Sequence, residues 1–136
     1  MPNEWVEVSR AIITIGNMLL VCQGVGESFC HLPGGHCEVG ENPGDCLVRE
    51  LREELGREIS ALQFVIKLDN VYDRDGTTIH ETNHLFTATL YPALQEDPAR
   101  SAEAHLRFRW VALQDLARER LMPPAVIDVI HQTVGA

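Results

Sequence analysis

The sequence predicts a single layered α/β domain, because strand-like segments are interspersed with helix-like ones along the chain. The chain has 136 residues, which suits one domain spanning residues 1–136 and allows a sizeable core. Its apolar fraction of 45% and charged fraction of 23% are those of an ordinary globular protein. Together these observations favour one globular unit of mixed architecture.

The predicted strands are alternating or apolar runs bounded by turn residues. In chain order they cover residues 5–15, 18–23, 29–32, 61–72, 77–91 and 105–112. Gly16-Asn17 and Asp75-Gly76 are dipeptides that favour tight turns, so each is expected to join the strands on either side. The short third strand is expected to end at Pro33.

The first helix is predicted from its two ends. Asn42 and Pro43 are the residue types that cap and open a helix, and Gly56 is the type that ends one. An apolar stripe recurs every four residues between these ends, at Leu47, Leu51 and Leu55. Two further helices are expected, separated by Pro123-Pro124, at residues 114–120 and 124–134.

The charge balance and the longest apolar run restrict the partners. The formal net charge of −9 does not suit a protein that binds polymeric nucleic acid, whose phosphates require Lys and Arg. The apolar run at residues 11–21 is too short to span a membrane. Glu4 and Glu7 are unlike the basic start of an export signal, so we expect a cytoplasmic protein without a membrane partner.

The four cysteines have no spacing typical of a disulfide framework or a zinc site. They are Cys22, Cys30, Cys37 and Cys46. His31 and His36 stand beside two of these cysteines, but the intervening Leu-Pro-Gly-Gly is not a usual zinc knuckle. Reduced, partly buried thiols are the expectation.

Glu50, Glu53 and Glu54 fall on one face of the first helix, at spacings of three and four residues. Like charges at these spacings repel each other, and a bound divalent cation would reverse that cost. Mg²⁺ prefers carboxylate oxygens and completes its shell with water and substrate phosphates. Taken alone, a pattern of this kind is more often a solvated acidic surface than a metal site.

The segment before the helix favours the metal interpretation. The pair Gly34-Gly35 lets the backbone approach a ligand closely, and a carbonyl there could join a coordination shell. Glu38 and Glu41 add carboxylates near the helix start. Arg49 can form a fork to one of these acids and so fix its rotamer.

These residues carry a family resemblance. Gly35 is followed after five residues by Glu41, then after seven more by the run Arg-Glu-Leu-Arg-Glu-Glu-Leu-Gly that ends at Gly56. This pattern resembles the Nudix box of the Nudix (MutT-like) hydrolases at every fixed position. One departure is Arg57, where the family usually has an aliphatic residue, and Ile59 is a candidate for that packing role. The resemblance implies an α/β/α sandwich with a central mixed sheet.

The resemblance also implies an activity. Nudix enzymes split a diphosphate linkage in a nucleoside diphosphate joined to another group, using Mg²⁺ or Mn²⁺. The implied metal ligands are the carbonyl of Gly34 and the carboxylates of Glu50, Glu53 and Glu54. Arg49 would orient Glu50 or pair with Glu41, which would be a structural or outer-shell acid. Gly35 and Gly56 would have structural roles.

The general base stays open at this point. Some family members use the glutamate equivalent to Glu50, and others use an acid from a later loop. The loop candidates here are Glu96, Asp97 and Glu103. Glu103 is favoured because it lies shortly before the strand at residues 105–112, where the family often places such an acid.

Two other functions are weighed against the hydrolase. One is a catalytically inactive Nudix module that binds nucleotides or regulates partners, but such modules usually have a broken box. The other is isomerisation of a prenyl diphosphate, which needs a cysteine and further metal-binding histidines that we cannot place in this sequence. Many Nudix proteins dimerise, so a homodimer through the N-terminal strand is a further expectation.

Residues outside the box are harder to assign. His80 and His84 share a face of one strand and could contact substrate or be half-buried sheet residues. Trp110 is expected in the core, and Phe29 and Tyr72 are candidates for base contacts. Substrate specificity is expected to come from the loops at residues 24–30, 72–80 and 92–104.

Overall fold

The computed structural model describes residues 2–94 and 101–135. Within them, seven strands and two α-helices follow one another along the chain. The strands are β1 (Asn3–Ile12), β2 (Thr14–Ile15), β3 (Met18–Gly24), β4 (Gly34–His36), β5 (Glu58–Arg74), β6 (Thr77–Tyr91) and β7 (Leu106–Ala112). The helices are α1 (Pro43–Leu55) and α2 (Val126–Val134), and a 3₁₀ turn covers Leu113–Asp115.

The strands form two sheets. The larger sheet has the order β4-β1-β6-β5 and is mixed, because β1 is parallel to β6 but antiparallel to β4. Its longest pairing is the antiparallel hairpin of β5 and β6, which turns at Asp75 and Gly76. Both turn residues have positive φ, 51° and 84°, as the favoured two-residue hairpin turn requires. The smaller antiparallel sheet has the order β2-β3-β7.

Side chains alternate between the two faces of the strands, so the core has two parts, each packed against one of the helices. On one side the leucine stripe of α1 packs with Leu20 of β3 and Phe108 of β7. On the other side Val126 and Ile130 of α2 pack with Leu19 of β3. Because successive residues of β3 point to opposite faces, both faces are buried. The predicted α/β/α sandwich with a central mixed sheet is confirmed, with the smaller sheet extending its middle layer.

The local signals located the hairpins and α1 well. The predicted first strand is divided into β1 and β2, which lie in different sheets. The predicted short strand at residues 29–32 is reduced to isolated bridges at Cys30 and His31. Ile59 packs against the core on the α1 side, as its candidate role required.

The predicted helix at residues 114–120 is wrong. Only a 3₁₀ turn over Leu113–Asp115 forms there, and Ala112 before it offers no side-chain cap. Arg120 then adopts a left-handed conformation with φ of 60°, which ends any helical path. Leu121 instead forms a bridge with Cys30, so a tertiary contact determines the path of this segment. Among the described residues, no helix combines the length and apolar character needed to cross a membrane.

Candidate active site

Both ends of α1 are fixed by local hydrogen bonds, which sets the direction of its side chains. The side chain of Asn42 accepts from the backbone N–H of Gly44 at 2.8 Å and of Asp45 at 3.4 Å. Gly56 caps the other end in a left-handed conformation and donates to the carbonyl of Arg52 at 3.0 Å. With the leucine stripe buried, the three glutamates of the box lie around the remaining faces.

The three glutamates are not equivalent. Glu54 is buried, with 5% of its surface exposed, whereas the Glu53 side chain is 50% exposed. Glu50 lies between these extremes, with 15% of its side chain exposed. The acidic face predicted from the helical spacing is therefore graded from the protein interior to solvent.

Two glycines of β4 allow the backbone to pass close to these carboxylates. A Cβ on Gly34, whose φ is 137°, would lie 1.9 Å from the carbonyl oxygen of Ser9. A Cβ on Gly35 would lie 2.5 Å from the Cδ of Glu50. The N–H of Gly34 donates to Oε1 of Glu54 at 3.4 Å. A side chain at Gly34 would collide with the backbone of β1, and one at Gly35 would displace the carboxyl group of Glu50.

Arg49 organises the outer part of the site. Its Nε and Nη2 donate to the two carboxylate oxygens of Glu41, both at 2.9 Å, which is a bidentate fork. Its Nη1 donates to Oε1 of Glu50 at 3.1 Å, and Nη2 donates to the carbonyl of His36 at 3.0 Å. This guanidinium lowers the pKa of Glu41 to about 2. Glu41 is therefore charged, and it positions Arg49 against Glu50.

Burial gives Glu54 an unusual protonation equilibrium. Loss of solvation, together with the charge of Glu50, raises the pKa of Glu54 from 4.5 to about 8. The charge of Arg10 and the hydrogen bond from Gly34 act in the opposite direction but are weaker. A divalent cation beside Glu54 and Glu50 would neutralise this repulsion, so the donor set fits a hard metal ion.

The carboxylates do not yet converge. In the described part of the chain, no three His, Cys, Asp or Glu side chains lie close enough together to hold a metal ion. Arg49 contacts Oε1 of Glu50 at 3.1 Å and both oxygens of Glu53 at 3.4 Å. Metal binding by all three glutamates therefore requires Glu53 to turn away from Arg49, whereas Glu50 has a second oxygen that Arg49 does not contact.

Glu103 lies in a turn that is attached to the end of α1. The N–H of Ala102 donates to the backbone carbonyl of Glu54 at 2.7 Å. The N–H of Glu103 donates to the hydroxyl of Ser101 at 3.1 Å, and its carboxylate lies 3.3 Å from His105. This tether brings Glu103 to the end of the acidic helix. The other loop candidates, Glu96 and Asp97, lie outside the described residues.

A cavity of about 420 Å³ opens on the α2 side of the larger sheet. The candidate base contacts Phe29 and Tyr72 both line it. Arg10 and Glu81, from the neighbouring strands β1 and β6, line it as well and were not singled out in the sequence. His36 also lines the cavity and its carbonyl accepts from Arg49, so the cavity adjoins the acidic helix. Only the parallel pairing of β1 with β6 could have revealed this grouping.

Other candidates have partners away from this cavity. His84 lies 2.8 Å from Oε1 of Glu7, and His80 lies 2.9 Å from Oδ1 of Asn3. His80 also stacks on Trp5, with ring centroids 4.6 Å apart. Both histidines thus bind side chains of β1. The predicted core position of Trp110 agrees with its packing against the core on the α1 side.

Comparison with known proteins identifies the family. The family model of the NUDIX domain matches residues 7–131. The chain belongs to the Nudix family. Nudix proteins with solved structures share its fold, among them a MutT protein from Bacillus halodurans, with a TM-score of 0.72 and 17% identity over 96% of this chain and 83% of that one. A MutT Nudix hydrolase from Burkholderia pseudomallei gives a TM-score of 0.69 and 21% identity, covering 83% and 87% of the two chains.

Curated Nudix-like relatives carry different names. An isopentenyl-diphosphate Delta-isomerase from Cereibacter sphaeroides is 39% identical over 88% of this chain and 75% of its own length. A putative mutator protein MutT4 from Mycobacterium tuberculosis is 30% identical over 67% of this chain and 36% of its own length. One name states an isomerase and the other a mutator protein, so these names do not agree on a substrate.

Proposed function

We propose that this Nudix protein is a metal-dependent hydrolase that cleaves the diphosphate linkage of a nucleoside diphosphate joined to another group. The observation that carries the proposal is the buried carboxyl group of Glu54, packed beside Glu50 and against the glycines of β4. A carboxylate with a strongly raised pKa next to a second carboxylate is a typical feature of a functional site.

The metal we propose is Mg²⁺ or Mn²⁺. The residues that would hold it are the carboxylates of Glu50, Glu53 and Glu54 and the carbonyl of Gly34. When bound, such an ion supplies charge neutralisation for phosphate oxygens and a lowered pKa for a coordinated water. Arg49, fixed by the fork to Glu41, orients Glu50.

We propose that the proton of the attacking water passes to Glu50 or to Glu103. Glu50 is the nearer to the buried acid, since its charge raises the pKa of Glu54. Glu103 is attached to the end of α1 through the bond from Ala102 to the Glu54 carbonyl. The two assignments are separated by the pH profiles of the Glu50→Gln and Glu103→Gln variants, because loss of the base removes the acidic limb of kcat.

The test of the function is hydrolysis of a panel of nucleoside diphosphate derivatives, including nucleotide sugars and an ADP-ribose type compound, with Mg²⁺ present. We expect Glu54→Gln to lower kcat by a factor on the order of a hundred or more while the protein stays folded. Glu58→Gln is the matched control, because Glu58 is exposed and pairs with Arg52. Absence of turnover on the whole panel by folded protein contradicts the proposal.

The curated relative named as an isopentenyl-diphosphate isomerase favours a second candidate function. Moving a double bond needs an acid and a base at a carbon chain, for which a cysteine is one candidate. However, no cysteine lines the cavity, and the thiol of Cys30 donates to the carbonyl of Glu119. Burial also raises the pKa of Cys30 and brings that of Cys22 to about 12. Incubation with isopentenyl diphosphate and Mg²⁺ separates the two: isomer formation without phosphate release indicates the isomerase.

An inactive nucleotide-binding module remains the alternative from within the family. Binding of nucleotides without turnover or metal dependence would indicate it, but the intact box residues argue for catalysis. We also retain the cytoplasmic location and the homodimer as proposals. Sedimentation at several protein concentrations tests the homodimer directly.

A further inference from the structure

The cavity beside the acidic helix contains a carboxylate that the proposed hydrolysis does not use. Glu81 lies on β6, and Asn70 is its register partner on β5. Asn83, which is only 1% exposed, donates from Nδ2 to Oε1 of Glu81 at 2.9 Å. Burial and the charge of the neighbouring Glu81 carboxylate raise the pKa of Tyr72. The Glu81 carboxylate is therefore held in place by Asn83 at the cavity wall.

The cavity offers this carboxylate no cationic side chain within salt-bridge distance among the described residues. Arg10 is the basic residue in the lining, and its Nη1 donates to the carbonyl of Leu32 at 3.2 Å. A carboxylate has about four lone-pair positions, of which Asn83 occupies one. The remaining positions are available to a ligand that donates hydrogen bonds.

A neutral histidine lines the same cavity. The Nδ1 of His31 lies 3.0 Å from the carbonyl of Leu32 and 3.4 Å from Nη1 of Arg10. Burial and the charge of Arg10 lower the pKa of His31 to about 4, so the ring stays neutral near pH 7. His31 therefore adds no positive charge that would compete with a ligand for the Glu81 carboxylate.

The rest of the lining selects for a flat, apolar shape. Phe29 and the ring of Tyr72 lie at the wall together with the segment Met122, Pro123 and Pro124. Aromatic rings stack on flat heterocycles, which is how proteins commonly hold nucleobases. A prenyl chain in this cavity would instead desolvate the Glu81 carboxylate without giving it a donor, which is costly.

We propose that Glu81 selects the nucleobase of the substrate, and that the base presents two adjacent N–H donors, as guanine does. This inference rests on the proposed function, because it assumes that the site accepts a nucleoside phosphate. The lining residues are placed consistently along the cavity: Arg10 on β1 is the register partner of Gly34, whereas Glu81 and Asn70 lie on β6 and β5. Glu81 acts on base selection and not on the reacting phosphorus.

The test is calorimetric binding of GMP, IMP and AMP to the wild-type protein with Mg²⁺ present. None of the three contains a diphosphate linkage, so binding is measured without turnover. We expect GMP to bind about tenfold or more tightly than IMP, which lacks the exocyclic amino group, and than AMP. We expect Glu81→Gln to remove this preference by weakening GMP binding about tenfold, and Glu81→Asp to restore part of it. Glu4→Gln, on the exposed surface of β1, is the matched control.

Equal binding of the three nucleotides, tighter binding of isopentenyl diphosphate than of GMP, or no binding at all overturns the inference. So does an unchanged ranking in a folded Glu81→Gln protein. Should that variant not fold, the wild-type ranking alone decides. A preference for GMP without hydrolysis of any substrate defeats the proposed function but not the base assignment, whereas hydrolysis without base preference defeats only the latter.

Discussion

Glu54 is the residue at which the fold most changes an ordinary chemical group. A glutamate on an exposed helix face would be charged and solvated near pH 7, but here the sheet covers it and Glu50 lies beside it. The raised pKa is the energetic consequence of both. Without a bound cation, the carboxyl group of Glu54 therefore favours its neutral, protonated form, although the site is suited to a charged carboxylate.

This property makes stability depend on pH. The pKa of Glu54 is about 8 in the folded chain and near 4.5 when unfolded, so the folded state retains a proton that the unfolded state loses. The contribution of Glu54 to the free energy of unfolding is fully present below pH 4.5 and is lost as the pH rises through about 8. We expect Glu54→Gln to reduce the fall in unfolding free energy between pH 5 and pH 8.5 by roughly 4 kcal/mol, measured by urea denaturation without metal. Glu53→Gln, at an exposed position, should retain the wild-type slope, and an unchanged slope in Glu54→Gln would contradict this explanation.

Gly35 is a second position at which a single added atom would change the geometry of the site. A Cβ there would meet the carboxyl carbon of Glu50 at 2.5 Å, so Gly35→Ala must displace that side chain. We expect kcat/KM to fall about tenfold or more while the thermal midpoint changes by only a few degrees. Gly24→Ala is the control, because its Cβ would meet only the flexible end of Glu27. Equal losses of activity in both variants would exclude a specific role for Gly35.

At the scale of the element, α1 presents its acids because its ends are determined locally. The Asn42 cap and the Gly56 terminus follow from neighbouring residues, and the sequence predicted both correctly. The segment at residues 114–120 shows the opposite case. Its residues are compatible with a helix, but no side chain caps it, and Leu121 forms a bridge with Cys30 instead. Local signals are reliable where the hydrogen bonds themselves are local.

The fork between Arg49 and Glu41 couples α1 to the loop before it. We expect Arg49→Lys and Glu41→Gln each to lower kcat about tenfold, because a lysine cannot make the bidentate contact and both changes loosen Glu50. Since the two residues act through one contact, the double variant should lose little more than either single one, as a double-mutant cycle of kcat measures. Arg52→Lys, whose exposed fork is to Glu58, should leave kcat unchanged. Fully additive losses would show that Arg49 and Glu41 act independently.

At the scale of the whole molecule, the acidic helix and the cavity lie at the two sides of one sheet edge. Strands β1 and β4 separate them, and Arg10 on β1 acts on Glu54 as well as lining the cavity. A ligand that contacts both regions would therefore hold α1 to the larger sheet.

Metal binding at the acidic helix should stabilise the folded chain as a whole. A cation that binds only the folded chain raises its stability in proportion to the logarithm of its concentration over Kd. We expect millimolar Mg²⁺ to raise the thermal midpoint by a few degrees at pH 8, and this rise to be largely absent in Glu54→Gln. Glu58→Gln should respond as the wild type does. Equal shifts in all three proteins would place the effect outside this site.

The sequence by itself determined α1, its caps, both hairpin turns and the acidic face, because each depends on residues within a few positions of one another. It left undecided which glutamate is buried and which side chains line the cavity, and it wrongly predicted a helix at residues 114–120. Glu54 is packed against Gly34 of β4, and Arg10 and Glu81 share a cavity because β1 lies parallel to β6. The first contact joins residues 20 positions apart and the strand pairing joins residues 75 positions apart, so only the packed tertiary structure decides them.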